Sequence, residues 1–148
     1  MSLNVNDITK NPIMRTYKQI KHTFGLEPYL VKISNPKYRN SITKLRTSSH
    51  DLHVEKGRHA TIPLEERQCK MCCVLEDEAH FLLSCRLFTA ERLKLYSSLG
   101  LQNIYHKYTT NDLLSYILNT NEQRHLELIG QFIYLCFQKR IEYYDMTT

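Results

Sequence analysis

The segment RQCKMCCVLEDEAHFLLSC, residues 67–85, places four metal-binding side chains at spacings that one compact site can use. Cys69, Cys72, His80 and Cys85 follow the pattern Cys-x2-Cys-x7-His-x4-Cys. Three thiolates and one imidazole suit Zn²⁺, which prefers four sulfur or nitrogen ligands in a tetrahedron. The two-residue gap lets two thiolates reach one ion from a tight turn, and the seven-residue gap lets the chain reverse. We therefore predict one structural zinc ion at these four residues.

The second half of the motif predicts a short helix. His80 and Cys85 are separated by about one helical turn plus one residue, so both can face the ion from that helix. Asp77 and Glu78 precede it and are predicted to cap it, because acidic side chains favour a first turn. The segment from residue 65 to 90, here called the knuckle, is thus expected to combine a turn with a short helix.

The motif leaves alternatives open. Cys73 adjoins Cys72 and could replace it, with gaps of three and six residues. The two-residue gap is the usual geometry of a zinc turn, so Cys72 is preferred and Cys73 is expected to point outward or pack. Cys136 lies in an apolar helical pattern and is predicted to belong to the core. Chance clustering of small buried cysteines is the competing explanation of the whole motif.

The composition favours a helical protein. Among 148 residues, 42% are apolar, while Gly and Pro occur only four times each. Scarce helix breakers predict a mostly α-helical small domain with the Cys-Cys-His-Cys zinc knuckle embedded in it. An odd number of cysteines, four of the five clustered at ligand spacing, indicates a metal in a reducing intracellular compartment, nucleus or cytoplasm, rather than disulfides. No apolar run reaches the roughly 18 residues of a membrane span, so no membrane partner is expected.

Caps and apolar periodicity locate the helices of the first half. Asn11–Pro12 and Asn35–Pro36 each place an N-capping residue before proline at the first helical position. The apolar stripe of the second helix includes Ile42. Residues 50–63 look irregular, with Gly57 as a break. Pro63 is expected to open a short turn.

The second half predicts three further helices. They span Glu91–Leu99, Asn111–Leu118 with Thr110 as its cap, and a long final segment capped by Asn121. Apolar residues recur along the final helix at three- and four-residue steps. The predicted organisation is a flexible N-terminus (residues 1–10) and one domain (residues 11–144), with basic helices (11–60), the knuckle and C-terminal helices (91–144). The recurring apolar residues are Leu126, Ile129, Ile133, Phe137 and Ile141.

Basic charge is concentrated at the start of the chain. Residues 1–60 contain eleven Lys or Arg against four Asp or Glu, a balance of +7, whereas residues 61–100 and 101–148 each carry −1. Such asymmetry suggests an anionic partner, RNA or DNA, although solvated surface charge is the ordinary alternative. The candidate phosphate contacts are Lys37, Arg39, Lys44, Arg46, Arg58 and Lys70.

Several stretches of the chain resemble one known family. The runs NPKYRNSITKLRTSSHDLHVEKGRH (35–59), IPLEERQCKMC (62–72) and EDEAHFLLSCRLF (76–88) are similar to the zinc-binding C-terminal region of non-LTR retrotransposon reverse transcriptases. FIYLCFQKR (132–140) looks like the end of the same region, so the resemblance covers about Asn11 to Tyr143. It implies zinc ligands at the four motif residues. It also implies a role in holding template RNA or target DNA near a polymerase.

The chain departs from that family in two respects. Arg86 follows the last cysteine, where family members often carry proline. The chain also lacks an Asp-Asp pair, although polymerase chemistry needs carboxylates that hold two metal ions. Cys73 beside His80 has no orienting third group, so no nucleophilic site is expected. These observations predict a tail without catalytic activity, as a fragment, a truncated element copy or a co-opted gene.

Two non-enzymatic functions remain for such a tail. One is a zinc-dependent module that binds RNA or DNA through the basic first half. The other is a structural zinc module that docks against a polymerase domain or another protein through the apolar side of the last helix. An exposed patch formed by Phe132, Tyr134 and Tyr143 would favour this docking function. A retroelement remnant without function is the third possibility. The sequence does not indicate the oligomeric state.

Overall fold

The computed structural model describes Thr16 and residues 27–147. In this part of the chain the fold is mostly α-helical, as predicted, with no strand beyond an isolated antiparallel bridge between Gln68 and Leu75. The predicted helix at Asn11–Pro12 and the predicted flexible residues 1–10 lie outside the described residues. The helices are α1 (Pro28–Lys32), α2 (Pro36–Arg46), α3 (His53–His59), α4 (Thr89–Ser98), α5 (Thr110–Leu118) and α6 (Gln123–Met146).

Helix α2 begins as its sequence predicts. The side chain of Asn35 accepts a hydrogen bond from the backbone N–H of Lys37 at 2.9 Å, and proline follows the cap directly. Its apolar face buries Ile42 almost completely. This face packs against α6, where a Cβ on Gly130 would lie 2.9 Å from Cβ of Tyr38. Glycine at position 130 therefore sets how closely the two helices approach.

Helix α6 is the element on which the rest of the domain packs. It contacts α1, α2 and α4. Leu126, Ile129 and Ile133 are buried on its inner face, as the three- and four-residue spacing predicts. Ile141, the last member of the predicted stripe, is 52% exposed. The inner face carries the buried Arg140 there instead, so the predicted stripe is wrong at its final position.

The knuckle is inserted into the core of this helical assembly. Phe81 is 1% exposed and its ring stacks on Phe137 of α6, with centroids 4.5 Å apart. The ring of Phe88 meets Phe81 edge to face at 5.0 Å. Aromatic rings dominate core energetics because each buries a large apolar area. The apolar residues of the knuckle therefore belong to the same core as the helices.

Residues 50–63 are more regular than the sequence predicts. Helix α3 continues through Gly57, which is buried within it and does not break it. A Cβ at this position would lie 2.5 Å from Cγ of Arg67, so glycine permits the close approach of that side chain. The prediction of an irregular segment is therefore wrong for His53–His59, whereas residues 50–52 and 60–63 are turns or irregular as predicted. The short turn after Pro63 is confirmed as a 3-10 turn, Leu64–Glu66.

The remaining helix boundaries differ from prediction by one or two residues. Helix α4 begins at Thr89, two residues before the predicted Glu91. Helix α5 is capped by Thr109, whose hydroxyl accepts from the N–H of Asp112 at 3.1 Å, one residue before the predicted cap. Helix α6 has Glu122 at its N-cap position in place of Asn121.

None of the described helices combines the length and the apolarity that a bilayer span requires.

Candidate metal centre

The first two cysteines of the motif lie in a tight turn closed by the Gln68–Leu75 bridge. The N–H of Cys69 donates to the carbonyl of Val74, and the N–H of Cys73 donates to the carbonyl of Cys69, both at 2.8 Å. Cys73 adopts a left-handed backbone conformation, with φ of 57°, which reverses the chain direction. Local hydrogen bonding therefore presents two cysteine side chains from one turn.

The other two motif residues are joined by a single turn of π-helix, His80–Ser84. The carboxylate of Asp77 accepts from the N–H of His80 at 2.8 Å, which confirms the predicted cap. The N–H of Cys85 donates to the carbonyl of His80 at 2.7 Å, the i to i+5 bond of a π-helix. In an α-helix residues five apart point about 140° away from each other, so the wider π-turn is what lets both side chains face one point.

The structure brings the four predicted ligands together. Their ligand atoms all lie within 4.8 Å of one another, and this group is here called the Cys3His cluster. The sulfur of Cys85 lies 3.8 Å from that of Cys69 and 4.0 Å from that of Cys72. The amide of Arg86 donates to the sulfur of Cys72 at 3.4 Å. Cys69, His80 and Cys85 are buried, and Cys72 is half-buried. The cluster can hold one metal ion.

The imidazole of His80 carries an unsatisfied nitrogen. Its Nε2 is buried and makes no hydrogen bond. Buried polar atoms almost always have a partner, because losing water without replacement costs about 1–3 kcal/mol. A bond from this nitrogen to a metal ion would satisfy it. The side chains present therefore fit a metal ion better than they fit a purely hydrogen-bonded core.

The thiols of Cys69 and Cys85 form a hydrogen bond, with their sulfurs 3.8 Å apart. The hydrogen bond with Cys85 is the largest influence on Cys69 and lowers its pKa to about 3, with further help from His80 and the backbone amides of Cys72 and Met71. The same hydrogen bond, together with burial, raises the pKa of Cys85. Cysteine binds metals as the thiolate, so a metal ion bound here would displace the thiol protons.

The other two cysteines lie outside the cluster. Cys73 is exposed, so the structure selects Cys72 as the cluster residue of the adjoining pair. Cys136 is fully buried in α6, and burial raises the pKa of its thiol, in agreement with its predicted place in the core. All five cysteines are free thiols.

Some of the predicted phosphate contacts are exposed, and others already bond to groups of the protein. Lys37, Lys44 and Lys70 are exposed. Arg39 is half-buried and donates to the carbonyl of Ile33 at 3.0 Å. Arg58 is also half-buried, and it forms an ion pair with a buried glutamate of α3 at 2.9 Å. The three lysines are therefore the cations of this set that are freest to meet a phosphate.

Arg46 is not available for nucleic acid, and its prediction as a phosphate contact is wrong. It is 1% exposed, forms an ion pair with Glu27 at 3.0 Å, and donates to the carbonyl of Leu118. Its guanidinium also lies over the ring of Tyr29. A seven-residue spacing from Arg39 places Arg46 beside the apolar stripe. The spacing does not indicate that α5 covers this flank of α2.

The exposed patch on α6 that would favour docking does not form. Phe132 is 5% exposed and belongs to the core, while Tyr134 and Tyr143 are half-buried. The ring of Tyr134 packs against that of Tyr38, with centroids 5.9 Å apart. Helical spacing alone does not distinguish an outward aromatic face from one covered by α2 and α4.

Two buried glutamates of the knuckle were not identified as structural from the sequence. Glu78, predicted as a helix cap, instead accepts hydrogen bonds from Ser48 at 2.7 Å and His50 at 2.9 Å. Glu76 is 3% exposed, and its carboxylate accepts hydrogen bonds from Nε and Nη2 of the Arg140 guanidinium. The hydroxyl of Tyr144 also donates to it. The sequence indicated their structural role only by placing acidic residues inside the knuckle, which was predicted to be embedded in the domain. Their partners are distant in sequence.

Comparison with protein families, curated proteins and solved structures finds no match to this chain. The resemblance to the C-terminal region of retrotransposon reverse transcriptases therefore stays a prediction. The geometry of the Cys3His cluster is independent of that resemblance, because it follows from the positions of four side chains in this fold.

The cluster makes a direct prediction about ligands and bystanders. Each single substitution of a cluster residue is expected to lower metal affinity by more than about 100-fold. Loss of a residue that only hydrogen-bonds a metal ligand typically lowers affinity by about 10–100-fold, and loss of a ligand itself should lower it further. Metal content per folded chain is the measurement. Cys73→Ser and Cys136→Ala are the controls and should each keep one metal. If Cys73→Ser lost the metal while Cys72→Ser kept it, the assignment would be wrong by one residue. The cluster variants are Cys69→Ser, Cys72→Ser, His80→Ala and Cys85→Ser.

Proposed function

We propose that the Cys3His cluster holds one structural Zn²⁺. Zinc bonds to sulfur are about 2.3 Å long, so two sulfurs at the corners of a tetrahedron lie about 3.8 Å apart. The separations of 3.8 and 4.0 Å from Cys85 to the other two sulfurs agree with this value. Soft thiolates with an imidazole favour zinc over magnesium or calcium. Four protein ligands would leave no open position, which supports a structural rather than a catalytic ion. Free thiols support a reducing compartment, nucleus or cytoplasm.

We propose further that the protein is a non-catalytic module that binds RNA or DNA, in the manner implied by its resemblance to a retrotransposon reverse-transcriptase tail. The observation that carries this proposal is a set of exposed lysines with no carboxylate in ion-pair contact among the described residues. They are Lys37 and Lys44 on α2 and Lys70 in the knuckle. Lysines without a carboxylate partner can contact phosphates and so release the counterions condensed on the nucleic acid.

The surroundings of these lysines support phosphate binding. Lys37 and Lys44 are seven residues apart, so they lie on one side of α2. Lys70 lies between Cys69 and Cys72, so a metal ion would fix its backbone. Its ammonium group lies 4.7 Å from the ring centroid of Tyr144, and an aromatic face holds a cation without neutralising it.

Salt dependence tests this function. Combined substitution of Lys37, Lys44 and Lys70 by Ala is expected to reduce the slope of log affinity against log salt. Each phosphate contact contributes about −0.9 on duplex DNA and about −0.7 on single strands, so three lost contacts change the slope by about 2.7 or 2.1 units. Fluorescence anisotropy with RNA and DNA over a salt series gives the slope. The three side chains are exposed, so the fold should be unchanged.

Lys139→Ala is the matched control. Lys139 is also partly exposed, but it forms an ion pair with Glu91 at 2.8 Å, so its loss should not change the slope. A folded, metal-loaded protein without salt-sensitive binding to either nucleic acid would contradict the proposal. Docking to another protein would then be favoured by a 150 Å³ groove between α4 and α6 that is lined by Leu95, Leu128 and Leu135.

A further inference from the structure

Arg92 of α4 is a buried cation that lacks a carboxylate partner. It is 6% exposed, and among the described residues no carboxylate lies within ion-pair distance of its guanidinium. It donates instead to the carbonyls of Leu82 at 2.9 Å and Phe81 at 3.4 Å. The other buried arginines differ, since Arg46 and Arg140 each hold a carboxylate, at 3.0 and 2.7 Å. No direct ion pair therefore compensates this charge, and the carboxylate of Glu91, whose pKa the charge of Arg92 helps to lower, acts on it only from a longer distance.

Arg92 binds the backbone of the turn that joins His80 to Cys85, which brings its charge close to the cluster. Burial is the main influence on Arg92 and lowers its pKa, whereas Tyr96, Cys136, Cys85 and Cys72 act in the opposite direction. Two of these four groups are cluster residues. A buried cation is costly unless an opposite charge faces it, and thiolates of the cluster are placed to provide that charge.

A divalent metal in this cluster would form a buried anion. Three thiolates contribute −3, a neutral imidazole contributes nothing, and the metal contributes +2, which leaves a net charge of −1. We propose that Arg92 is the counter-cation of the metal centre and that its charge sets the affinity of the cluster for a divalent metal. This inference rests on the proposed metal site.

The hydrogen bonds of Arg92 hold its guanidinium against the turn that carries two of the ligands. Phe81 and Leu82 lie between the ligands His80 and Cys85, in the π-turn. One guanidinium therefore binds the backbone of the ligand-bearing turn and carries the compensating charge. Hydrogen bonding to the backbone needs only a donor, whereas compensation of the complex needs a positive charge. Substitutions of Arg92 can therefore separate the two contributions.

Arg92→Gln and Arg92→Lys separate charge from shape. Gln can still donate to a carbonyl but is neutral, whereas Lys keeps the positive charge and loses the planar fork. We expect Arg92→Gln to weaken metal binding by about 10–100-fold and Arg92→Lys to change it by less than about threefold. Competition between the protein and a chelator gives the affinity for Zn²⁺. The thiolate-to-metal absorption of Co²⁺ reports whether the ligand set is unchanged.

A charge-altered ligand set provides the decisive comparison. Cys72→His would convert the cluster to two thiolates and two imidazoles, whose complex with a divalent metal is neutral. Cys72 is half-buried, which leaves room for the larger ring. In this background the loss caused by Arg92→Gln should fall below about threefold, because no net charge remains to be compensated. Any cost of Arg92→Gln to the fold is common to both backgrounds and cancels in the comparison.

The outcomes of this comparison are distinct. The proposal is overturned if Arg92→Gln binds Zn²⁺ as tightly as the parent protein, or if its loss is equally large in the Cys72→His background. A loss confined to the three-thiolate background, with Arg92→Lys close to the parent, supports it. If the parent protein itself bound no divalent metal, the proposed zinc site would fail instead.

Discussion

Removal of the proposed zinc ion by a strong chelator is expected to open the knuckle before any α-helix of the domain unfolds. Zinc supplies on the order of 10 kcal/mol of folding free energy in small zinc modules. Without it, the turn hydrogen bonds from Cys73 to Cys69 and from Cys85 to His80 lose the constraint that closes them. Hydrogen exchange of the amides of residues 65–90, with and without chelator, measures the effect.

The amides of α2 serve as the internal reference for this experiment. Helix α2 is separate from the knuckle in sequence and packs mainly against α6, so its exchange should rise later. Adding Zn²⁺ back should restore protection in the knuckle. Mg²⁺ should not, because it prefers oxygen ligands. Unchanged exchange in residues 65–90 after complete metal removal would contradict the prediction.

Arg140→Ala is expected to destabilise the folded protein by about 3–5 kcal/mol, the cost of leaving a buried charge without its partner. The guanidinium donates to both carboxylate oxygens of Glu76, at 3.1 and 2.7 Å. Burial lowers the pKa of Arg140, but the hydrogen bond and charge of Glu76 outweigh burial and raise it overall. Urea unfolding, carried out for each variant at the same Zn²⁺ concentration, gives the free energy of unfolding.

The neighbouring residue in the same helix provides the control. Lys139 pairs with Glu91 at 2.8 Å, but both side chains are partly exposed, and such pairs contribute about 0–1 kcal/mol. Lys139→Ala should therefore have little effect. The double variant Glu76→Gln with Arg140→Met removes both buried charges and should recover part of the loss. Equal stabilities of Arg140→Ala and Lys139→Ala would rule out a buried ion pair of this strength.

Features that depend on neighbouring residues could be predicted from the sequence. The cap at Asn35, the turn after Pro63 and the cap at Asp77 each rest on a residue within three positions of its partner. The same holds for the turn that presents Cys69 and Cys72, because a two-residue gap restricts how two sulfurs can meet. Local chemistry and ligand spacing were therefore sufficient for the helical class and for the four residues of the cluster.

Features that depend on distant residues could not be predicted. The burial of Arg46 requires α5, which lies about seventy positions along the chain, and the partner of Glu76 lies in α6. A charged residue beside an apolar stripe has the same sequence pattern whether water or another helix covers it. The π-turn was also missed, since hydrophobic spacing does not distinguish i to i+4 from i to i+5 hydrogen bonding.

The position of Phe81 in the core limits how this domain can be divided. The residue lies next to the ligand His80, yet its ring stacks on Phe137 of α6. A peptide containing only the knuckle would expose that ring to water and would leave Glu76 without Arg140. The smallest transplantable unit therefore joins the knuckle to a helix that begins more than thirty residues later. Recombination or protein engineering that moves the cysteine motif alone transfers its ligands without the core that orients them.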